Sequence, residues 1–561
     1  MKNKTLLFFV ICVILFCNCS KETKQYAICI KQDTSISKLQ TDSTTIADLM
    51  LICKCWGFVK YFYPRIEKTG IDINDELFEL FDNYCVSNNV CDVLCEWIDS
   101  IDDVGNVKWR KMPPVTIKTF RNCDLSWILD TTRISTHLSS RLRTILSYHR
   151  TRGNYSRVGN SGVIYHNTLF RDSTDLSELN NKKNRLLLLF TYWNVIEYYY
   201  CLKGPELDWN ALLEEYIPSF LEGDKISCYN ALKSLASYLH DSHGIIRSKN
   251  DEDVRFIPLN VRYTGNELIV IGESSPNIPI GSTIISIDGR TTNSIRSLLV
   301  DTLHYNYSTV SSISRAMANS GLYSTKDSVS VTYRVNNKRY SLKVATITQE
   351  DYLQWDAKYK SGNIKDCLLQ DKICYLNAGA FSRSREREYL ESIKQSNLLI
   401  VDLRFYPNEM MIPFITRYLM PDNTVFAKFE MPRFNEPGAT REVLPRYKKS
   451  DYEYSGEIVI LVNENTFSQG EYTAMALQAN PKSITMGSGT DGSDGDMSVI
   501  FLPGGVSAYF TGIGVYYPNG DSTQRKGIRI DHFIRPQTID KFYYNPSYIT
   551  KHILSELCYS H

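Results

Sequence analysis

The chain has 561 residues, with 63 basic against 62 acidic side chains and a hydrophobic share of 43%. That length predicts several domains rather than one core, and the apolar content is ordinary for globular protein. A net charge of +1 leaves no basic footprint for nucleic acid, so no nucleic-acid partner is expected.

Lys2 and Lys4 precede Leu6–Phe16, an apolar stretch too short to span a bilayer and of the kind found in secretory signals. The signal ends Phe16-Cys17-Asn18-Cys19-Ser20, which resembles a relaxed bacterial lipoprotein box with Cys19 lipidated and Asn18 in place of the usual small residue. Export to the bacterial cell envelope, in the periplasm or on the outer membrane, follows, with the membrane touched only through this lipid anchor. Simple cleavage near the same point is the alternative. The cysteines lack partners at zinc-finger spacing, so neither a metal nor a cofactor is expected.

After residues 1–19, residues 20–45 read as a polar tether and 46–180 as a helical or mixed region. In it, Cys55-Trp56-Gly57-Phe58-Val59-Lys60-Tyr61-Phe62-Tyr63 recurs weakly as Tyr192-Trp193-Asn194-Val195-Ile196-Glu197-Tyr198-Tyr199-Tyr200, a duplicated helical hairpin. Trp56 and Trp193 are read as core anchors or as ligand platforms, the first being commoner for aromatic stripes at helical spacing. Residues 152–166, rich in Gly and Asn, read as a loop or hairpin. Residues 181–250 form a helical unit closing in His240-Asp241-Ser242-His243-Gly244. Gly244 suits a C-cap and histidines suit the negative end of a helix dipole, yet Ser242 beside His243 also suits catalysis.

Residues 251–350 turn to short β runs, at Arg255–Arg262, Leu268–Gly272, Ser282–Asp288, Ser328–Val335 and Arg339–Val344, with a helix over Ser311–Ser320. In residues 365–545, strands at Lys372–Phe381, Leu398–Phe405 and Ile458–Val462 and a helix at Ser384–Lys394 make βαβ-type units, hence an α/β layer. After Ile458–Val462, Asn463-Glu464-Asn465 breaks the strand, and apolar residues at helical spacing from Tyr472 start a helix near Ser468. A turn of that order exposes a hydroxyl at a helix start, where free N–H groups favour a developing anion. Ser468-Gln469-Gly470-Glu471 is equally a plain capping box.

Taken in order, Asp241-Ser242-His243, Gly281-Ser282-Thr283-Ile284-Ile285-Ser286-Ile287-Asp288-Gly289, Val401-Asp402-Leu403-Arg404, Thr466-Phe467-Ser468-Gln469-Gly470-Glu471, Leu502-Pro503-Gly504-Gly505 and Gly527-Ile528-Arg529-Ile530-Asp531 resemble the C-terminal-processing (tail-specific) serine peptidases, nearest their tricorn-like branch. The resemblance covers roughly residues 186–540. It implies a crotonase-like α/β catalytic core with an N-terminal helical region and an inserted PDZ-like β domain, which would bind extended chain ends by strand addition. It makes Ser468 the nucleophile and His243, with Ser242 beside it, the base. The lysine of the other branch is absent, Gly492-Ser493-Asp494-Gly495 standing in its place, and Gln524 stands where a glutamate would orient the histidine. The usual Gly-Gly after Asp-x-Arg is replaced by Phe405-Tyr406-Pro407-Asn408-Glu409. The oxyanion donors are then the backbone N–H of Gln469 and that of Asn408 or Glu409.

The expected function is an exported serine endopeptidase acting on unfolded or tail-exposed polypeptides. The rival is a catalytically impaired relative that only binds polypeptide, favoured by Ser493, Gln524 and the missing Gly-Gly. A glycan-binding surface lipoprotein, argued from the 37 tyrosines and 7 tryptophans, is a third reading. Oligomeric state is not legible in the chain.

Overall fold

The computed structural model describes Ile36 and most of residues 39–534, the larger breaks being 105–121, 159–167, 172–178, 249–253, 299–310, 360–366 and 448–452. The signal, Cys19 and most of the tether lie outside the described residues, as does most of the helix expected over 311–320 and all of 535–545. Among the described residues no helix is long and apolar enough to cross a membrane.

Helix α1 (Ser43–Phe62) begins inside the expected tether, because the Asp42 carboxylate accepts the Thr45 N–H at 2.9 Å and caps it. Helices α2 (Ile73–Ser87), α3 (Val90–Val104) and α4 (Thr136–Leu146) follow, then the paired strands β1 (Ser156–Val158) and β2 (Thr168–Arg171). Helices α5 (Lys182–Tyr199), α6 (Trp209–Glu222) and α7 (Lys225–Ser237) complete the helical part and lead into strand β3 (Ile246–Ser248). Helix α5 is buried from Asn184 to Tyr199 on every face, as a central bundle helix must be.

The repeated tryptophans do the same work twice. Trp56 Nε1 donates to the carbonyl of Ile73 at 2.6 Å, and Trp193 Nε1 to that of Trp209 at 2.8 Å, each reaching the first residue of the next helix in its hairpin. Where the hairpins meet, Gly57 faces Asn194: a Cβ at 57 would fall 1.9 Å from the Asn194 side-chain oxygen. Both tryptophans are buried in the helical core.

Strands β4 (Val261–Thr264), β5 (Glu267–Val270), β6 (Thr283–Ile287), β7 (Ser328–Val335) and β8 (Lys338–Ala345) form an antiparallel sheet with its own apolar core. The strand expected over 255–262 is broken at Pro258, which has no N–H for a ladder.

The large sheet begins at β9 (Cys367–Gln370), antiparallel to β10 (Ile373–Asn377). Helix α8 (Glu386–Lys394), preceded by a tight turn at Arg383–Arg385, crosses to β11 (Leu398–Asp402). Strand β12 (Glu457–Val462) lies parallel to β11, and helix α9 (Gln469–Gln478) returns the chain to β13 (Ser483–Gly487). After the hairpin of β14 (Met497–Leu502) and β15 (Val506–Thr511), β16 (His532–Phe533) adds to the edge, giving the order β9-β10-β11-β12-β13-β16. The architecture is mixed α/β, with helices covering a mostly parallel sheet whose central strands are apolar on both faces.

A second sheet, in the order β1-β2-β14-β15-β3, ties the halves together. Ile500, Leu502, Val506, Ala508 and Phe510 of its hairpin belong to the same core as the helical bundle. Because α7 runs directly into β3, and β3 pairs with Val506–Ala508, the connection 241–244 is held beside the end of β15.

Candidate active site

At the end of β12 the Asn463 side chain accepts the Asn465 N–H at 2.9 Å and its carbonyl the Thr466 N–H at 2.9 Å, an Asx turn that stops the strand. Thr466 Oγ1 then donates to the Leu403 carbonyl at 2.8 Å, fixing the turn to the end of β11. On this frame Ser468 is held at φ +47°, ψ −119°, a conformation that costs a non-glycine residue about 1–3 kcal/mol and is kept where surroundings enforce it.

The capping box does not form. Ser468 makes no side-chain cap, and Glu471 turns to the 490–493 loop, accepting from Thr490 Oγ1 at 2.6 Å, Gly492 N–H at 2.8 Å and Ser493 N–H at 2.9 Å. Burial, with Asp491 adding to it, pushes the Glu471 carboxyl up to about 7. Ser468 is thus left half-buried at the start of α9 with its hydroxyl turned elsewhere.

The Tyr406 phenol lies beside that hydroxyl and the Gln469 N–H, and its ring is 4.5 Å from that of Phe467. Burial holds the Tyr406 phenol well above its ordinary range, so it is protonated at neutral pH. Of the two residues expected to give a further oxyanion donor, Asn408 is spent: its N–H donates to the Ala378 carbonyl at 3.0 Å. The Glu409 carboxylate accepts the Arg383 N–H at 2.7 Å, which ties this loop to the start of α8.

His243 is buried, with Ser242 beside it half-buried. Its N–H donates to Asp241 Oδ1 at 3.0 Å, and its Nδ1 lies 2.9 Å from Thr511 Oγ1. Thr511 in turn gives Asp241 two hydrogen bonds at 2.7 Å, from its N–H and its hydroxyl. Gln524 does not orient His243 as the resemblance implied. Its Nε2 donates to Asp241 Oδ1 at 3.3 Å, and its buried Oε1 has no partner among the described residues. The reason is chemical: a carboxylate only accepts, so the amide must present its NH2 group to Asp241.

The 494–496 turn reaches toward both the serine and the histidine ends. Gly495, at φ +115°, lets the backbone press on Thr511, where an added Cβ would lie 2.8 Å from the threonine methyl. Asp494 and Asp496 on either side of it act electrostatically on Tyr406, which lies beside Ser468. The small sheet reaches the same turn: Arg262 of β4 forms a buried ion pair with Glu464, Nη2 to Oε2 at 2.5 Å, and lies 3.5 Å from Ser488 Oγ. Thr511 carried no sequence signal, and Tyr406 stood in the segment after Arg404 where only the backbone of Asn408 and Glu409 was singled out.

Residues 372–534, the span holding β10 to β16, match the model of peptidase family S41. No curated protein matches the chain. Among solved structures, the photosystem II D1 C-terminal processing protease is similar at 16% identity and TM-score 0.40, over 64% of this chain and 94% of that one. Mature CPAF complexed with lactacystin is similar at 13% identity and TM-score 0.48, over 67% and 98%. The tricorn protease is similar at 15% identity and TM-score 0.35, over 67% and 37%. Likenesses this remote do not bear on activity. The family match falls on the sheet that carries Asp402, Arg404 and the Ser468 turn, so residues 372–534 are a domain similar to peptidase family S41.

Proposed function

We propose that the chain is an exported, lipid-anchored serine endopeptidase that cuts unfolded or tail-exposed polypeptides, with Ser468 as nucleophile and His243 as base. The observation that carries this reading is the conformation of Ser468: a serine at φ +47° that declines its helix cap is held for something other than capping. His243 takes the Ser468 proton as the hydroxyl oxygen attacks the peptide carbonyl, then returns it to the leaving amine. Water repeats the exchange to release the acyl group. The Gln469 N–H, at the positive end of α9, and the Tyr406 hydroxyl are the donors best disposed toward the oxyanion.

In this reading the large sheet with its helices is a crotonase-like core, and β4–β8 form a PDZ-like insert that takes an extended segment by strand addition. Arg262 on β4 and its ion pair with Glu464 join the insert to the nucleophile turn. Boundaries at residues 181–250, 251–350 and 365–545 follow from it.

A serine-reactive phosphonate should label the protein at Ser468, and Ser468→Ala should abolish both labelling and cleavage of denatured casein. The spent Asn408 N–H favours the second reading, an impaired relative that binds polypeptide without cutting it. Absence of labelling in folded protein decides for that reading.

A further inference from the structure

We infer that Thr511 and Asp241 act together as positioning residues that fix the tautomer of His243, the work done elsewhere by a carboxylate bonded directly to the imidazole. The inference rests on His243 being the base and adds to that reading the group that orients it.

The argument is a count of protons. Asp241 is fully buried and takes four hydrogen bonds, from the N–H of His243 at 3.0 Å, the N–H of Thr511 at 2.7 Å, the hydroxyl of Thr511 at 2.7 Å and Nε2 of Gln524 at 3.3 Å. A carboxylate supplies none of these protons. The single hydroxyl proton of Thr511 is therefore committed to Asp241. Thr511 Oγ1 also lies 2.9 Å from His243 Nδ1, and with its proton spent it can only accept there. Nδ1 must then carry the ring proton in neutral imidazole, which makes Nε2 the unprotonated nitrogen. That is the tautomer a general base toward serine requires, since the wrong tautomer costs about 10,000-fold in a comparable site.

The bridge is built to stay in place. Thr511 is fully buried at the end of β15, its backbone is bonded to Asp241, and its methyl is seated against Gly495. Gln524, which stands where a carboxylate was expected, serves this arrangement from behind by donating to Asp241.

Three measurements on the full-length protein test the bridge. In 15N-histidine-labelled wild type at a pH where His243 is neutral, the ring shifts should report a proton on Nδ1; a proton on Nε2 overturns the inference without needing any variant. With a fluorophosphonate probe, Thr511→Val should label Ser468 about 100-fold more slowly or worse, as loss of general-base help does, while Thr511→Ser should stay near the wild-type rate. Equal rates for wild type and Thr511→Val, or a Thr511→Ser as slow as Thr511→Val, overturn it. If wild type itself fails to label, the functional reading falls, while the tautomer measurement still decides the bridge.

Discussion

Replacing Gln524 by glutamate restores the residue that the family resemblance leads one to expect, and the structure predicts that it harms the protein. The amide nitrogen of Gln524 lies 3.3 Å from Asp241 Oδ1, with Asp241 fully buried and Gln524 nearly so. Glutamate removes that donor and sets two carboxylates face to face. The lost hydrogen bond alone costs about 1–3 kcal/mol. Two full charges at that separation repel by roughly 5 kcal/mol at an effective dielectric constant near 20. The pair avoids part of this by keeping one proton, which raises one carboxyl pKa in the folded state. Each unit of that rise costs about 1.4 kcal/mol once the pH exceeds the folded value. A raised folded pKa favours folding at low pH, so the variant should approach wild-type stability near pH 5 and fall behind by several kcal/mol near pH 8. Urea unfolding of both proteins at the two pH values measures this, and casein cleavage should not increase. Equal stability at pH 8, or faster cleavage, would refute the placement of Gln524 against Asp241.

Tyr406→Phe removes the hydroxyl beside Ser468 and the Gln469 N–H; turnover should fall about 100-fold with little change in KM, the signature of a lost oxyanion donor, and steady-state kinetics showing no change would remove Tyr406 from the site. Arg262→Met strands the buried Glu464 carboxylate and should cost about 3–5 kcal/mol in urea unfolding, most of it recovered when Glu464→Gln is added. Burial pushes the partly buried Asp496 carboxyl from 3.8 up to about 7, so its contribution to stability is complete below 3.8 and is lost as pH rises through about 7. Asp496→Asn should therefore flatten the dependence of Tm on pH between 4 and 8, and an unchanged slope would place the titration elsewhere.

The residues that were legible in the sequence are those whose role is local. The run Ile458–Val462 folds as a strand because it is apolar on both faces, and Asn463 ends it through its own side chain. Partners brought from far along the chain were not legible. Thr511 is 268 residues from His243 and Gln524 is 283 from Asp241, and no periodicity or spacing encodes which of them meets the imidazole. The resemblance to a family supplied a candidate at 524, and the amide there turned out to face the acid rather than the ring. Ser468-Gln469-Gly470-Glu471 fails in the opposite sense. Its spacing is that of a capping box, and only the long-range bonds of Glu471 to the 490–493 loop take the glutamate away from the helix start. Once that carboxylate is occupied, a reciprocal cap can no longer hold Ser468 in an ordinary extended conformation. What remains to fix it at positive φ is the turn itself, pinned through Thr466 to the neighbouring strand. The strain at Ser468 and the distant bonds of Glu471 are therefore one feature, and it is the feature that separates a nucleophile turn from a helix start with the same four residues.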